Sequence, residues 1–237
     1  MSGRERPVQA VPRTAVMLLL LSLCAQTAWH HWRPAPQASA EALPAPPAQP
    51  VLLAIAGGDR ITLAKALMLW LQAFDNPPGL STPFRDLDYA RVIAWLERIL
   101  SLDPRAQYPL LAAARLYGEV PVPEKQRQML EFVYREFLKD PDGRWQWLAH
   151  AVYVARHRIG DMPLALKYAE ALAQHATGTD VPSWARQMNI FVLEDMGETE
   201  AAKVLLGGLL DSGRIEDPAE QRFLMNRLEE LEARKAR

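Results

Sequence analysis

Two histidines and two groups of carboxylates are the side chains in this sequence best suited to chemistry. His150 and His157 are seven positions apart, and on a helix this spacing separates them by about 10.5 Å, too far for them to share one metal ion. We therefore interpret both as surface or groove histidines. Glu194 and Asp195 fall at the end of a predicted helix, where we interpret them as solvated turn carboxylates.

The second group of carboxylates lies in the segment Arg85-Asp86-Leu87-Asp88. Acidic side chains interact favourably with the positive end of the helix dipole, so the segment predicts a helix start, and a carboxylate pair for acid–base catalysis is the alternative. The sequence contains no G-x-S-x-G, H-E-x-x-H, P-loop or G-x-G-x-x-G motif. It therefore predicts a protein that is not an enzyme and that holds no metal or cofactor.

Composition limits the class of protein further. Hydrophobic residues make up 49% of the 237 residues, which is typical of a folded chain. The 27 lysines and arginines are balanced by 28 aspartates and glutamates, so we expect no nucleic-acid partner, because phosphate binding requires a basic surface. Cys24 is the single cysteine, so the rest of the chain can form neither a disulfide nor a cysteine metal site.

The N-terminus has the pattern of a membrane-targeting segment. An uncharged, leucine-rich stretch covers residues 14–29, and it is preceded by Arg4, Arg6 and Arg13. We predict an uncleaved signal anchor: residues 1–33 form a cytoplasmic tip and a transmembrane helix that crosses the inner membrane once, and the rest of the chain lies in the periplasm. The alternatives are a cleaved signal peptide, which leaves a soluble periplasmic protein, and a lipid attached to Cys24.

A linker follows this segment. Residues 34–58 are rich in proline and alanine, and prolines this dense favour extended polyproline II structure. At about 3.1 Å per residue, Pro34 to Pro50 spans about 50 Å. We therefore expect a spacer between the membrane and a folded domain of residues 59–237.

The hydrophobic pattern of that domain is helical. Residues 61–74 are apolar on most faces, so we expect this helix to lie deep in the fold, and Asn76-Pro77-Pro78-Gly79 ends it. Apolar side chains recur at helical spacing in Tyr89–Leu102, which predicts one helix with a buried face. Asp103-Pro104 ends that helix and is expected to open the next one as N-cap and first residue.

The domain is self-similar at an offset of 37 residues. Asp103-Pro104 recurs as Asp140-Pro141, and Trp147 recurs as Trp184. The other matches, in the same order, are Leu111, Ala112 and Ala114 with Leu148, Ala149 and Ala151, Gly160-Asp161 with Gly197-Glu198, Ala165 with Ala202, and Leu172 with Leu209. A period between about 20 and 50 residues that contains two helices is typical of a solenoid repeat.

Three segments resemble the tetratricopeptide repeat. YARVIAWLERILSLDP is similar to the second helix of such a repeat and ends in the expected Asp-Pro. IGDMPLALKYAEALAQH and MGETEAAKVLLGGLL are similar to the turn and second helix of two further repeats. The resemblance covers roughly residues 86–212, and its period of 37 residues departs from the family's period of about 34. It implies an all-α protein, a right-handed stack of antiparallel helical hairpins behind the N-terminal anchor.

Small and capping residues have structural roles in this interpretation. Ala165 and Ala202 let the two helices of a hairpin approach closely, and Gly207-Gly208 is expected to do the same for a neighbouring helix. Asp217-Pro218-Ala219-Glu220 predicts a helix start in which the aspartate caps and the glutamate reaches back to the cap. The alternating charge that follows suits the outer face of a terminal helix.

Four aromatic residues are the predicted binding residues: Trp145, Trp147, Tyr153 and Trp184. The resemblance implies that they lie on first helices, which line the concave groove of a tetratricopeptide stack. Exposed tryptophan and tyrosine in such a groove favour peptide binding. The alternative is that the tryptophans fill the core between repeats.

The sequence thus indicates a membrane-anchored scaffold or adaptor that binds a protein partner in the cell envelope. One alternative is an enzyme, or an accessory subunit of an enzyme, that acts on an envelope polymer. The other is a structural protein that assembles with itself as a homo-oligomer. Fold alone does not decide between them, because function depends on sites.

Overall fold

The structure, a computed structural model, describes residues 12–32, 42–74, 83–213, 215 and 217–235. Within these ranges every regular element is helical, and no strand is present. The chain divides into two compact units, residues 1–39 and residues 40–237. The predicted all-α class is confirmed.

The described part of the first unit is one helix, α1, which spans Arg13–Trp32. Its side chains are largely exposed, with Leu18 at 68% and Trp32 at 82%. The hydroxyl of Thr27 donates to the Leu23 carbonyl one turn earlier, at 2.8 Å. In the described part of the chain, no helix combines the length and the apolarity that crossing a bilayer requires.

The described residues of the second unit form a series of helices. They are α2 Gln49–Ala56, α3 Arg60–Phe74, α4 Tyr89–Leu102, α5 Tyr108–Arg115, α6 Pro123–Phe137, α7 Pro141–Val154, α8 Met162–His175, α9 Ser183–Arg186, α10 Met188–Asp195, α11 Thr199–Asp211 and α12 Pro218–Lys235. Short 3-10 turns lie at Phe84–Asp86 and Tyr117–Glu119, and a π-helical turn at Ala155–Ile159 extends α7. From α3 onward each helix packs against the next, and the pairs α4 and α6, α5 and α7, and α8 and α10 also pack together.

This unit begins earlier in the chain than the sequence predicts. Residues 42–48, assigned above to the linker, lie against α4: Leu43 is buried, and the indole N–H of Trp95 donates to the Pro44 carbonyl at 2.8 Å. The helix α2 follows and packs against α3, with Leu52 buried. The predicted linker from residue 42 onward is therefore part of the folded unit, and residues 33–41 lie outside the described ranges.

The helix α4 has the bounds that the sequence predicts. Asp88 caps it by accepting hydrogen bonds from the backbone N–H groups of Ala90 and Arg91 at 3.0 and 3.3 Å. On the predicted apolar face, Val92 and Leu96 are fully buried. The helix start predicted from the acidic residues before Tyr89 is therefore confirmed.

Some positions that the 37-residue offset equates have the same structural role. Gly160 and Gly197 both end a helix with a positive φ, 74° and 80°, a region that glycine adopts without the steric penalty of a Cβ. Ala165 and Ala202 are both fully buried in the helices that follow. These pairs explain why the sequence repeats at these points.

Several hydrogen bonds between helices, or between a helix and the first turn of another, join residues about one period apart. Examples are Gln107 to Gly143 with a separation of 36 residues, Arg127 to Asp161 with 34, and Lys167 to Glu131 with 36. These separations are one to three residues shorter than the 37-residue offset of the sequence.

The helix α3 differs from its prediction. Only Ala64, Met68 and Leu71 are buried, whereas Ile61 and Leu69 are 53% and 66% exposed. The helix packs against α2 and α4 through one stripe, so its outer side remains at the surface. The prediction that α3 lies deep in the fold is therefore wrong. The predicted stop at residues 76–79 lies outside the described ranges.

The start predicted for the helix after α4 is also wrong. Asp103 accepts from the backbone N–H of Arg105 in a turn, and α5 begins only at Tyr108. A residue of another helix holds this turn: the Pro104 carbonyl accepts a hydrogen bond from the Arg144 guanidinium on α7 at 2.7 Å. A long-range bond thus replaces the local cap.

The prediction for the start of α12 is confirmed for Asp217 and wrong for Glu220. Asp217 caps the helix by accepting from the N–H of Ala219 at 2.8 Å. Glu220 does not reach back to the cap. It accepts from the Ser183 hydroxyl at 2.8 Å and from the Gln187 carboxamide, and so ties α12 to α9 and the turn after it.

No neighbouring helix of the described ranges packs closely against Gly207 or Gly208. A Cβ added at either glycine would meet no atom within 4 Å apart from those of its own helix backbone and chain neighbours. Both lie inside α11, so alanine at each is expected to raise the free energy of unfolding by about 0.5–1 kcal/mol through lower backbone entropy. Gly160→Ala is the matched control, because its φ of 74° is strained for an L-residue and a loss of about 1 kcal/mol is expected. Urea unfolding measures all three, and a loss at Gly207 or Gly208 would show that a neighbour covers them.

Candidate functional site

The structure brings two of the four predicted binding residues into contact. The rings of Trp145 on α7 and Trp184 on α9 meet edge to face, with centroids 5.4 Å apart. Trp147 instead contacts the turn before α5, where its indole N–H donates to Oε1 of Gln107 at 2.6 Å. Tyr153 lies further along α7 and is 45% exposed. The four residues therefore do not form one cluster.

Tyr153 belongs to a stripe of side chains along one side of α7 and of the π-helical turn that extends it. Gln146, His150, Tyr153 and His157 follow one another at intervals of three or four residues, so they share one side of the helix. The Tyr153 ring stacks on the His150 ring with centroids 6.0 Å apart and lies 4.9 Å from the His157 ring. Within this stripe Tyr153 and His157 are exposed. Trp145 and Trp147 are partly buried against the core, and Trp184 on α9 is 53% exposed.

Two shorter stripes, on α5 and α3, accompany it. Gln72 on α3 donates a hydrogen bond to the Tyr108 hydroxyl on α5. Gln146 on α7 donates to Gln107, in the turn before α5, at 3.4 Å. We call this surface the A face. Its members are Lys65, Leu69 and Gln72 on α3, Tyr108, Leu111 and Arg115 on α5, and Gln146, His150, Tyr153 and His157 on α7 and its extension.

A groove of about 470 Å³ lies between α3 and α5. Its apolar lining consists of Ala64, Met68, Leu69, Ile99, Ala106 and Pro109. The polar lining includes Lys65 and Gln72 on α3 and Asp103 in the turn between α4 and α5. A mostly apolar concavity with a few polar groups is the usual form of a binding site, and the volume is in the common range of about 300–1,000 Å³.

A second feature of the A face is a cluster around Glu119, which we call the His–Glu cluster. Oε1 of Glu119 lies 3.1 Å from Nε2 of His150, and its Oε2 lies 3.5 Å from Nη2 of Arg158. Burial is the main cause that lowers the pKa of His150; Glu119 opposes this shift and Arg115 reinforces it. His150 is therefore neutral near pH 7 and serves as a hydrogen-bonding group.

The two carboxylates at the end of α10 are structural. The Glu194 side chain is only 4% exposed and accepts from Nε of Arg227 at 3.0 Å, which is the main reason that the pKa of Arg227 is raised. Asp195 pairs with Arg156 of the π-helical turn. The prediction of solvated carboxylates is wrong for Glu194, because α12 packs over it.

Sequence reasoning missed several members of the site, among them Leu69, Tyr108, Arg115 and Glu119. The spacing of Tyr108, Leu111 and Arg115 is a helical signal, but it spans a helix of only eight residues. Within the described ranges, no group of three or more His, Cys, Asp or Glu side chains is arranged to hold a metal ion. The A face offers aromatic and apolar contacts together with cationic and acidic side chains.

Comparison of the chain with protein-family models, with curated proteins and with solved structures finds no match. The resemblance to the tetratricopeptide repeat therefore stays a prediction from the quoted segments.

His150→Gln is expected to reduce the loss of stability on mild acidification. The folded pKa of His150 lies below its ordinary value of 6.5, so the unfolded chain binds more protons as the pH falls through that value. The wild type therefore loses stability as the pH falls below about 6.5, and the variant loses less. Urea unfolding at a series of pH values measures this, with exposed His175→Gln as the control. Equal pH slopes in wild type and His150→Gln would contradict it.

Proposed function

We propose that this chain is a membrane-tethered scaffold or adaptor of the cell envelope that binds a protein partner along the A face. The observation that carries this proposal is the A face itself. It combines an apolar groove with tyrosines that are 46% and 45% exposed, Tyr108 and Tyr153. Protein-binding hot spots are enriched in tyrosine, tryptophan and arginine, and peptides use apolar pockets as anchors.

The proposed architecture is a stack of hairpins of the tetratricopeptide type. It is supported by the packing of each helix with the next and, in several cases, with the next but one. The hydrogen bonds about one period apart support it too, as do the shared roles of Gly160 and Gly197. In such a stack, alternate helices line one side, and α3, α5 and α7 are alternate helices in the order of the chain.

The proposed tether rests on the N-terminal sequence. Residues 14–29 are uncharged and follow three arginines, a charge distribution that holds the N-terminus in the cytoplasm and sends the helical unit to the periplasm. In the sequence, α1 ends at Trp32 and the second unit begins at residue 40. We therefore propose a binding surface that is held near the inner membrane and faces the periplasm.

Site-specific photocrosslinking in intact cells tests this function. A photoreactive phenylalanine derivative is placed at Tyr153 or at Leu69 on the A face, and at Val204 as the control. Val204 is 73% exposed on α11, which contributes nothing to the A face. We expect the two A-face positions to give adducts with the same envelope protein and the control to give none. Adducts with the protein itself alone, or equal adducts from all three positions, would overturn the proposal.

A further inference from the structure

The chemistry of the A face limits the kind of segment that can bind it. Its groove accepts an apolar side chain, because Met68, Leu69 and Ile99 line it and Leu69 is 66% exposed there. Burying apolar surface contributes about 25 cal/mol per Å², so a side chain that fills the groove supplies the main binding energy. The apolar groove alone does not select a partner.

The charges beside the groove supply that selection. Arg115 is exposed at the end of α5, and among the described residues no carboxylate forms an ion pair with it. Lys65 on α3 is also exposed. Glu119, the acidic group of the His–Glu cluster, already contacts His150 and Arg158. The groove lining itself holds one acidic and one cationic side chain, Asp103 and Lys65. Outside that lining, Arg115 is the cationic group of the A face, so this surface complements negative charge at its Arg115 end.

The distance between the groove and Arg115 indicates how far apart the two matching residues of a bound peptide lie. Tyr108 lines the groove, and Arg115 follows it on the same side of α5 after seven residues, a distance along the helix of about 10.5 Å. An extended peptide advances about 3.3 Å per residue, so this distance corresponds to about three residues.

We propose that the partner presents an extended acidic segment: one apolar side chain enters the groove between α3 and α5, and an aspartate or glutamate about three residues away pairs with Arg115. This inference rests on the proposed function and specifies its partner. Tyr153, whose ring stacks on that of His150, offers an aromatic contact to the continuation of the segment.

Selection from a library of random linear peptides against the full-length chain in detergent tests this inference. We expect enriched peptides to share an apolar residue and an acidic residue about three positions apart. A representative peptide, labelled with a fluorophore, should bind Arg115→Glu about tenfold more weakly than wild type in fluorescence anisotropy. The reversal removes an exposed ion pair and adds a repulsion between like charges, and tenfold corresponds to about 1.4 kcal/mol. Leu69→Asp should remove the apolar preference in a repeated selection.

Arg85→Glu is the matched control, because Arg85 is exposed and its carbonyl contacts Lys125 of α6, away from the A face. Arg115→Gln and circular dichroism of each variant separate a loss of charge from a loss of folding. Enrichment of neutral or basic peptides, or unchanged binding of acidic ones to Arg115→Glu, would overturn the inference and leave peptide binding intact. Failure to enrich any peptide would instead count against the proposed function as well.

Discussion

Replacing Glu136 by alanine is expected to lower the free energy of unfolding by about 3–5 kcal/mol. The Glu136 and Arg144 side chains are 2% and 4% exposed, and Oε2 of the glutamate lies 2.9 Å from Nη1 of the arginine. Without the carboxylate, the guanidinium stays buried with fewer partners, and an uncompensated buried charge is costly. The same arginine holds the Pro104 carbonyl, so the loss extends to the turn before α5.

Chemical denaturation followed by tryptophan fluorescence measures this effect. The matched control is Glu97→Ala, which removes one partner of the exposed pair of Glu97 and Arg135, with side chains 44% and 47% exposed. Its expected cost is at most about 1 kcal/mol, because exposed ion pairs contribute little. A double variant, Glu136→Leu with Arg144→Met, should recover much of the loss. Similar values for Glu136→Ala and Glu97→Ala would contradict the burial of this pair.

Phe132→Ala is the second change with a large expected effect, a loss of about 3–5 kcal/mol in the free energy of unfolding. Phe132 on α6 is fully buried in the main core cluster of the second unit. Alanine in its place removes apolar contacts and leaves a cavity that the surrounding helices fill only in part. Thermal unfolding should show a large fall in Tm with the helical circular dichroism of the folded state retained.

Phe223→Ala provides the control for this substitution. Phe223 on α12 is 54% exposed and contacts Phe191 with ring centroids 6.5 Å apart. Most of its surface already faces solvent, so its removal is expected to cost no more than about 0.5–1 kcal/mol. An equal loss for the two phenylalanines would mean that α12 packs more tightly than the structure indicates.

Local features of the fold were predictable from neighbouring residues. The bounds of α4 follow from its apolar spacing and from the cap at Asp88. The turns at Gly160 and Gly197 follow from the positive φ that glycine allows. The all-α class follows from the helical period throughout the domain.

Predictions that depended on distant neighbours were less successful. The apolar faces of α3 indicated burial, but the helix has packing partners along one stripe only. Glu220 has the sequence of a reciprocal cap, yet Ser183 and Gln187 lie close enough to take both of its oxygens. In each case a contact between residues far apart in the sequence outweighs the local preference.

The sequence by itself determined the helical class and the positions of several helix ends, because these depend on hydrogen bonds and side-chain spacing within a few residues. Only the tertiary structure decided which side chains form the A face. The groove exists because α3 and α5 lie on either side of Ile99, and the Glu119–His150 contact exists because α5 and α7 pack together. Such a surface depends on which helices lie beside each other, and this is a property of the packed core rather than of any one segment.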